Sequence, residues 1–150
     1  MPVTIVSDGL DYVIRRVLRN HGLGDLPVYA NRLETAGEDG YALSFPHARA
    51  DCPTASGTCK CALLRRLRRP GSEAVLVGDG ASDVCAAREA ADSVFAKAGL
   101  LDHCREHGLP HRAYRDFDDV TRALFNHQRD RCDAQPRPTG LCSEGYPPHG

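Results

Sequence analysis

Short apolar runs alternate along the chain with stretches of helical spacing. A β-branched run at 3–6 predicts a strand, and the apolar stripe over 10–18 predicts a helix that stops at Gly22. The runs 28–34 and 41–45, separated by a glycine-bounded turn, predict a β-hairpin. The chain therefore begins as strand, helix and hairpin.

The second half of the pattern repeats strand and helix more regularly. Helical spacing covers 58–69, and the apolar run 74–77 predicts a buried strand that turns through glycines into a helix beginning near Ser82. This alternation predicts an α/β fold with a parallel sheet and flanking helices. The remaining predicted elements are strands at 93–97 and 111–114 and helices at 100–107 and 117–125.

The turn after the central strand, Gly-Asp-Gly-Ala-Ser-Asp at 78–83, carries the strongest candidate chemistry. Asp79 ends the strand and Asp83 lies one turn into the helix, so we expect both carboxylates to face one crevice. Either Ser82 or Asp83 is expected to cap that helix. Two carboxylates with a substrate phosphate are a ligand set that suits Mg²⁺.

Two further features are candidates for binding an anion. Ser7, Asp8 and Gly9 follow the first strand, where a hydroxyl and backbone N–H groups at a helix start can hold a phosphate. Lys60 stands in the first turn of its helix, which is unfavourable for a cation unless it has a function there. The alternatives without ligand binding are an ordinary helix cap at Ser7 and a solvated surface lysine at Lys60.

Composition and charge narrow the possible partners. A net charge of −1 gives no electrostatic reason to bind nucleic acid or an anionic membrane, and the arginines of 65–69 are interpreted as a solvated helix face. The sequence has no apolar run of membrane-spanning length and no signal-peptide pattern, so we expect a cytoplasmic protein. Residues 1–130 are predicted to form the folded core. Residues 131–150, rich in proline and glycine, are predicted to be a disordered tail.

Seven cysteines allow a second kind of site. Their odd number and the absence of an export signal argue against a disulfide framework. Cys52, Cys59 and Cys61, with His47 as a fourth ligand, form a candidate zinc site, although they lack paired C-x2-C spacing. Buried thiols without a metal are the more common alternative.

The order of these motifs resembles the haloacid dehalogenase superfamily, in its phosphoserine phosphatase-like branch. Ser7 after a strand, Lys60, the segment 78–83 and the segment 91–97 follow each other as the motifs of that superfamily do. The resemblance covers about residues 3–125. Three segments look closest to phosphatases related to the methionine-salvage enzyme acting on 2-hydroxy-3-keto-5-methylthiopentenyl-1-phosphate. These are PVYANRLE, LSFPHA and DCPTASGTCKC.

The resemblance implies a Mg²⁺-dependent hydrolase of a small phosphorylated metabolite. Ser7, with the N–H groups of Asp8 and Gly9, would hydrogen-bond the transferring phosphoryl group. Lys60 would stabilise the charge shared by the nucleophile and the phosphate. Asp79 would bind Mg²⁺ directly, and Asp83 would complete or orient the metal's ligand shell.

One departure from the family is large. Its motif D-x-D-x-[TV] supplies an aspartyl nucleophile on a strand upstream of the serine motif, and here only six residues precede Ser7. The acidic pairs Asp118-Asp119 and Asp8/Asp11 do not occupy such a position, and the family's cap domain is missing too. We therefore expect a partial haloacid dehalogenase-like sheet that lacks its central strand.

Three interpretations follow from this departure. The first is a phosphatase whose nucleophile lies upstream, so that this chain alone has little activity. The second is a non-catalytic remnant or subunit that binds phosphate, Mg²⁺ or a partner. That partner is either a second copy of the chain or the missing N-terminal segment. The third is a small metal-binding protein built on the cysteines.

Overall fold

A computed structural model describes residues 2–37 and 40–134 of the chain, with the backbone alone for 127–134. The chain is α/β, as the sequence predicts. The strands are Ile5–Leu10 (β1), Val28–Ala36 (β2), Gly40–Ser44 (β3), Val75–Gly78 (β4), Ser93–Ala96 (β5) and Arg112–Ala113 (β6). The helices are Asp11–Asn20 (α1), Lys60–Leu67 (α2), Val84–Glu89 (α3), Ala98–Glu106 (α4) and Phe117–Ala134 (α5), and a 3-10 turn, Ala81–Asp83, precedes α3.

The strands form two separate three-stranded sheets. In the first, β1 is parallel to β2, and β2 continues into the predicted antiparallel hairpin with β3. In the second, β4, β5 and β6 are parallel. The strands before the two candidate motifs, β1 and β4, do not pair with each other in the described part of the chain. The arrangement matches the expected partial sheet without a central strand between them.

The first strand is longer than predicted. It begins at Ile5 and runs through Ser7, Asp8 and Gly9 to Leu10, where we expected a turn. Pairing with β2 is irregular over this stretch, because the register shifts between Val6 and Leu10. The three candidate residues therefore lie on an irregular strand end and not on a free turn before α1.

The core of the β4 region is built from small side chains. Leu76 of β4 packs against two buried clusters, which places this strand between them. One cluster holds four cysteines and an alanine: Cys52, Cys59, Cys61, Cys85 and Ala86. The other holds Val94, Ala96, Leu100 and Cys104.

The chain divides into two compact units, Met1–Ala113 and Tyr114–Gly150. The first unit contains both sheets and the helices α1 to α4, and the second contains α5. Helix α5 extends to Ala134, beyond its predicted end at 125 and over the first four residues of the predicted tail 131–150. The rest of that tail lies outside the described residues, so its disorder stays a prediction. Within the part that the structure describes, no helix is long and apolar enough to cross a membrane.

Candidate active site

The turn between β4 and α3 is organised around Asp83. This aspartate is buried, and its Oδ2 accepts hydrogen bonds from the backbone N–H groups of Asp79 and Gly80, each at 3.0 Å. Of the two residues expected to cap the helical stretch that begins near Ser82, Asp83 caps its first, 3-10 turn, because it accepts the N–H of Gly80, the N-cap residue of that turn. Asp83 occupies the N-cap position of α3, but its side chain makes no capping bond there. The carboxylate turns back instead and fixes the loop that carries Asp79.

Lys60 reaches this turn from the start of α2. Its Nζ donates to Asp83 Oδ1 at 2.5 Å and to Ser82 Oγ at 2.8 Å. The two charged side chains are 11% and 6% exposed, so the ion pair is nearly excluded from water. A charge pair in such surroundings is held by strong hydrogen bonds, and removing either partner leaves a buried charge. The alternative interpretation of Lys60 as a solvated surface lysine is therefore wrong.

The segment just before Lys60 is bound to β1 through a polar network. Asp8 Oδ1 accepts the backbone N–H of Thr58 at 2.7 Å, and the Asp8 carbonyl accepts Asn31 Nδ2 at 2.7 Å. The Thr58 hydroxyl donates to Asn31 Oδ1 at 3.1 Å. Asn31 and Thr58 are buried, so each of these bonds satisfies a group that water does not reach.

Ser7 lies next to this network, and its hydroxyl accepts the N–H of Gly9 at 3.0 Å. The hydroxyl proton is left to donate to another acceptor. The Gly9 N–H, which we expected to face an anion, is taken up by this local bond. Asp8, whose backbone N–H we expected to face an anion, also accepts the Thr58 N–H through its carboxylate.

Residues 58–60 thus connect the two strand ends that carry the candidate motifs. Thr58 bonds to β1 beside Ser7, and Lys60 bonds to the turn after β4. Sequence reasoning missed Asn31 and Thr58. Asn31 had a detectable signal, since it is a polar residue on a strand whose neighbours Val28 and Ala30 are buried. Thr58 had none, because its partners are 27 and 50 residues away in sequence.

Asp79 differs from Asp83 in its surroundings. Asp79 is exposed, and among the described residues its carboxylate makes no hydrogen bond or ion pair. The Asp83 oxygens are already occupied by Lys60 and two backbone N–H groups. Mg²⁺ keeps several waters and is often held through one or two carboxylates, so the donor set fits the ion with Asp79 as ligand and Asp83 as support.

The pattern D-x-D-x-[TV] occurs once in the chain, downstream of the candidate site, as Asp116-Phe117-Asp118-Asp119-Val120. The structure places them at the start of α5, in the second unit, and not at a strand end. Asp116 Oδ1 accepts the Asp119 N–H at 3.0 Å, which is the bond of a helix cap. Hydrogen bonds from Arg115 lower the pKa of Asp119 to about 2, so this carboxylate is ionised and paired.

The proposed zinc ligands are only partly brought together. Among the described residues, the sulfur atoms of Cys52, Cys59 and Cys85 lie within 4.8 Å of one another. The expectation for His47 is wrong, because its ring lies edge-on to Tyr29, with centroids 5.4 Å apart, and is not part of this group. Cys85 was missed, since α3 brings it to the other thiols from far along the chain.

Gly78→Ala is expected to destabilise the turn, whereas Gly80→Ala is expected to be tolerated. A Cβ at Gly78 would lie 2.7 Å from Asp83 Cγ and Oδ2, while one at Gly80 meets nothing within 4 Å. Gly80 has an ordinary φ of −128°, so alanine fits its backbone. Overpacking at Gly78 is expected to lower the free energy of unfolding by about 1–3 kcal/mol, measurable by urea denaturation. Equal losses in the two variants would contradict this account of the turn.

Several curated proteins are similar in sequence to the chain. The 2-hydroxy-3-keto-5-methylthiopentenyl-1-phosphate phosphatase of Geobacillus kaustophilus is 37% identical over 126 residues, which covers 83% of this chain and 56% of the relative. The protein of the same name from Brevibacillus brevis is 32% identical over 127 residues, covering 84% and 56%. The one from Geobacillus thermodenitrificans is 36% identical over 122 residues, covering 80% and 54%.

The chain spans about half the length of the curated relatives it matches. No family model matches it. The similarity covers most of this chain and is not confined to one short motif.

Proposed function

Because this chain belongs with the haloacid dehalogenase-like phosphatases, we propose that it carries the phosphate- and metal-binding part of a Mg²⁺-dependent phosphomonoester hydrolase. In this proposal the aspartyl nucleophile comes from a segment outside residues 1–150. The substrate is a small phosphorylated metabolite. The ester in the relatives' names is the first compound to test.

The connection made by residues 58–60 is the observation that carries the proposal. Ser7 and Asp79 stand at the ends of strands in separate sheets, and this segment bonds to both neighbourhoods. A phosphoryl group bound between them would meet a hydroxyl donor on one side and a cation held by carboxylate on the other. Phosphoryl transfer depends on such positioning and on neutralising the charge of the phosphoryl oxygens.

Each residue of the chain then has a defined role. Ser7 donates its hydroxyl proton to a phosphoryl oxygen, and the ammonium of Lys60, held by Asp83, offsets negative charge beside it. Asp79 is the metal ligand, and Asp83 fixes the backbone on which Asp79 stands. A bound Mg²⁺ would neutralise charge on the phosphoryl oxygens. Gly9 and Asp8 hold Ser7 and the segment before Lys60 in place.

The reaction itself requires a group that the described site does not provide. In phosphoaspartyl chemistry a carboxylate oxygen attacks phosphorus, the alcohol leaves with a proton, and water later hydrolyses the acyl phosphate. Asp8 and Asp83 are committed to hydrogen bonds, and Asp116 caps a helix. We therefore propose that the 150-residue chain alone has little phosphatase activity.

A paired assay tests this function. The 150-residue chain and a polypeptide extended to the length of its relatives would be incubated with Mg²⁺ and p-nitrophenyl phosphate or the relatives' ester. Activity confined to the extended form is the expected result. Replacing the added nucleophilic aspartate by asparagine should abolish that activity.

The other outcomes are equally informative. Activity in neither form would overturn the proposed hydrolase and favour a remnant that binds phosphate, Mg²⁺ or a partner. Activity in the 150-residue chain would place the nucleophile inside it, and Asp116 would be the first residue to substitute. The expected cytoplasmic location and self-association stay predictions.

A further inference from the structure

Four buried thiols converge between the loop before α2, the start of α2 and the start of α3. The sulfur atoms of Cys52, Cys59 and Cys85 lie within 4.8 Å of one another. Cys61 Sγ is 3.5 Å from Cys59 Sγ and belongs to the same buried cluster as Cys85. All four cysteines are less than one-tenth exposed, and none of them forms a disulfide.

We propose that Cys52, Cys59, Cys61 and Cys85 bind a soft divalent cation, Zn²⁺, as a tetrahedral structural site. This site shares no residue with the proposed phosphate site, although Cys59 and Cys61 flank Lys60, and it does not depend on the proposed hydrolase function. Zinc bound by four thiolates at about 2.3 Å requires sulfur atoms about 3.8 Å apart. The sulfur atoms of Cys52, Cys59 and Cys85 are close to that spacing, whereas Cys61, which adjoins Cys59, would have to turn toward the other two.

A hydroxyl group lies beside one of the sulfur atoms. The Thr54 hydroxyl is 3.4 Å from Cys52 Sγ and 2.8 Å from Ser56 Oγ. Hydrogen bonds of this kind stabilise thiolates and orient metal ligands.

A pocket beside the cluster gives a cation access to it. A pocket of about 330 Å³ is lined by Cys59 and Cys61 together with Arg49 and Arg65. Asp51 and Glu89 line the same pocket and pair with these two arginines, so the four side chains add no net charge beside the −2 of four thiolates and one Zn²⁺. Binding would release the four thiol protons to solvent, so no electron is transferred.

Cys104 shows what an ordinary buried thiol in this chain looks like. It is fully buried in the other core cluster, among Val94, Ala96 and Leu100. Burial raises the pKa of Cys104, and no other group contributes. Cys61, in contrast, lies among other thiols, with Cys59 Sγ at 3.5 Å.

Metal content tests the site directly. The full chain, expressed without a polyhistidine tag, should contain one zinc ion per molecule by elemental analysis after dialysis. Cys59→Ser and Cys85→Ser should each retain about a tenth of that or less. Cys104→Ser, the matched control, should keep the full amount. Equal zinc in all variants, or none in the wild type even after reduction and zinc addition, would overturn the proposal.

A titration of the wild-type chain decides the matter even if a serine variant fails to fold. Reduced protein titrated with Cd²⁺ should show the ultraviolet thiolate-to-metal band, saturating at one equivalent with the intensity of four thiolates. An intensity matching three thiolates would overturn the four-thiolate site. A Cys59–Cys61 disulfide that forms in place of metal binding would overturn it as well.

Discussion

Asp83→Ala is expected to lower the free energy of unfolding by about 3–5 kcal/mol, because it strands the Lys60 ammonium in a nearly buried position. The substitution also removes the acceptor of the Asp79 and Gly80 N–H groups. Urea denaturation of the purified 150-residue chain measures the loss. The turn of 78–83 is expected to lose its conformation at the same time.

The matched control for this variant is Asp51→Ala. Asp51 also accepts two hydrogen bonds from one cation, Arg49, at 2.8 and 2.9 Å. That pair is more than half exposed on both sides, and exposed ion pairs contribute little to stability. Only a small shift of the urea midpoint is expected. Comparable losses in the two variants would mean that the Lys60–Asp83 pair is not buried in solution.

Lys60→Met separates the two contributions of Asp83. In this variant the carboxylate keeps the N–H groups of Asp79 and Gly80, so the turn retains its acceptor. The loss of stability is expected to be smaller than for Asp83→Ala. A larger loss for Lys60→Met would show that the ion pair, and not the turn, dominates the effect of Asp83.

Asp79→Asn is expected to have the opposite profile, with activity lost and stability retained. In the extended polypeptide that has phosphatase activity, the Mg²⁺-dependent rate should fall about 100-fold or more, since the variant removes the proposed metal ligand. Asp79 is exposed and its carboxylate has no partner among the described residues, so the unfolding midpoint should not move. Rates as a function of Mg²⁺ concentration and a thermal melt give both values.

Asp102→Asn is the control for this pair of measurements, because it makes the same change at an exposed position within α4. It should alter neither the rate nor the melt. A normal rate in Asp79→Asn would remove Asp79 from the proposed metal site. A large drop in its melting temperature would assign Asp79 the structural part that we attribute to Asp83.

The elements themselves were largely predictable, because apolar spacing is a local property. The hairpin, β4, β5 and the four shorter helices lie within a few residues of their predicted positions. The extent of β1 was not predictable in this way. Its last residues contain a glycine and polar side chains, which predict a turn. Pairing with β2 and the hydrogen bond between Asn31 and the Asp8 carbonyl keep them extended instead.

Glycines and aspartates of the 78–83 turn show where local reasoning ends. Gly78 and Gly80 look alike in sequence, yet only Gly78 has a side chain, that of Asp83, packed where its Cβ would be. Asp79 and Asp83 look like two equal ligands, yet one is exposed and the other is buried against Lys60. The difference arises from a contact 23 residues away in sequence.

From its sequence alone, this protein could be identified as an α/β chain with strand-end residues suited to a phosphate and Mg²⁺. The order of elements along the chain and the residue types at their ends are local properties of the sequence. The tertiary structure decided which of those residues support the fold and which are open to a ligand. It also separated β1 from β4 and brought Cys85, in place of His47, to the other thiols. Those outcomes depend on burial and on partners distant in the chain, which no local pattern encodes.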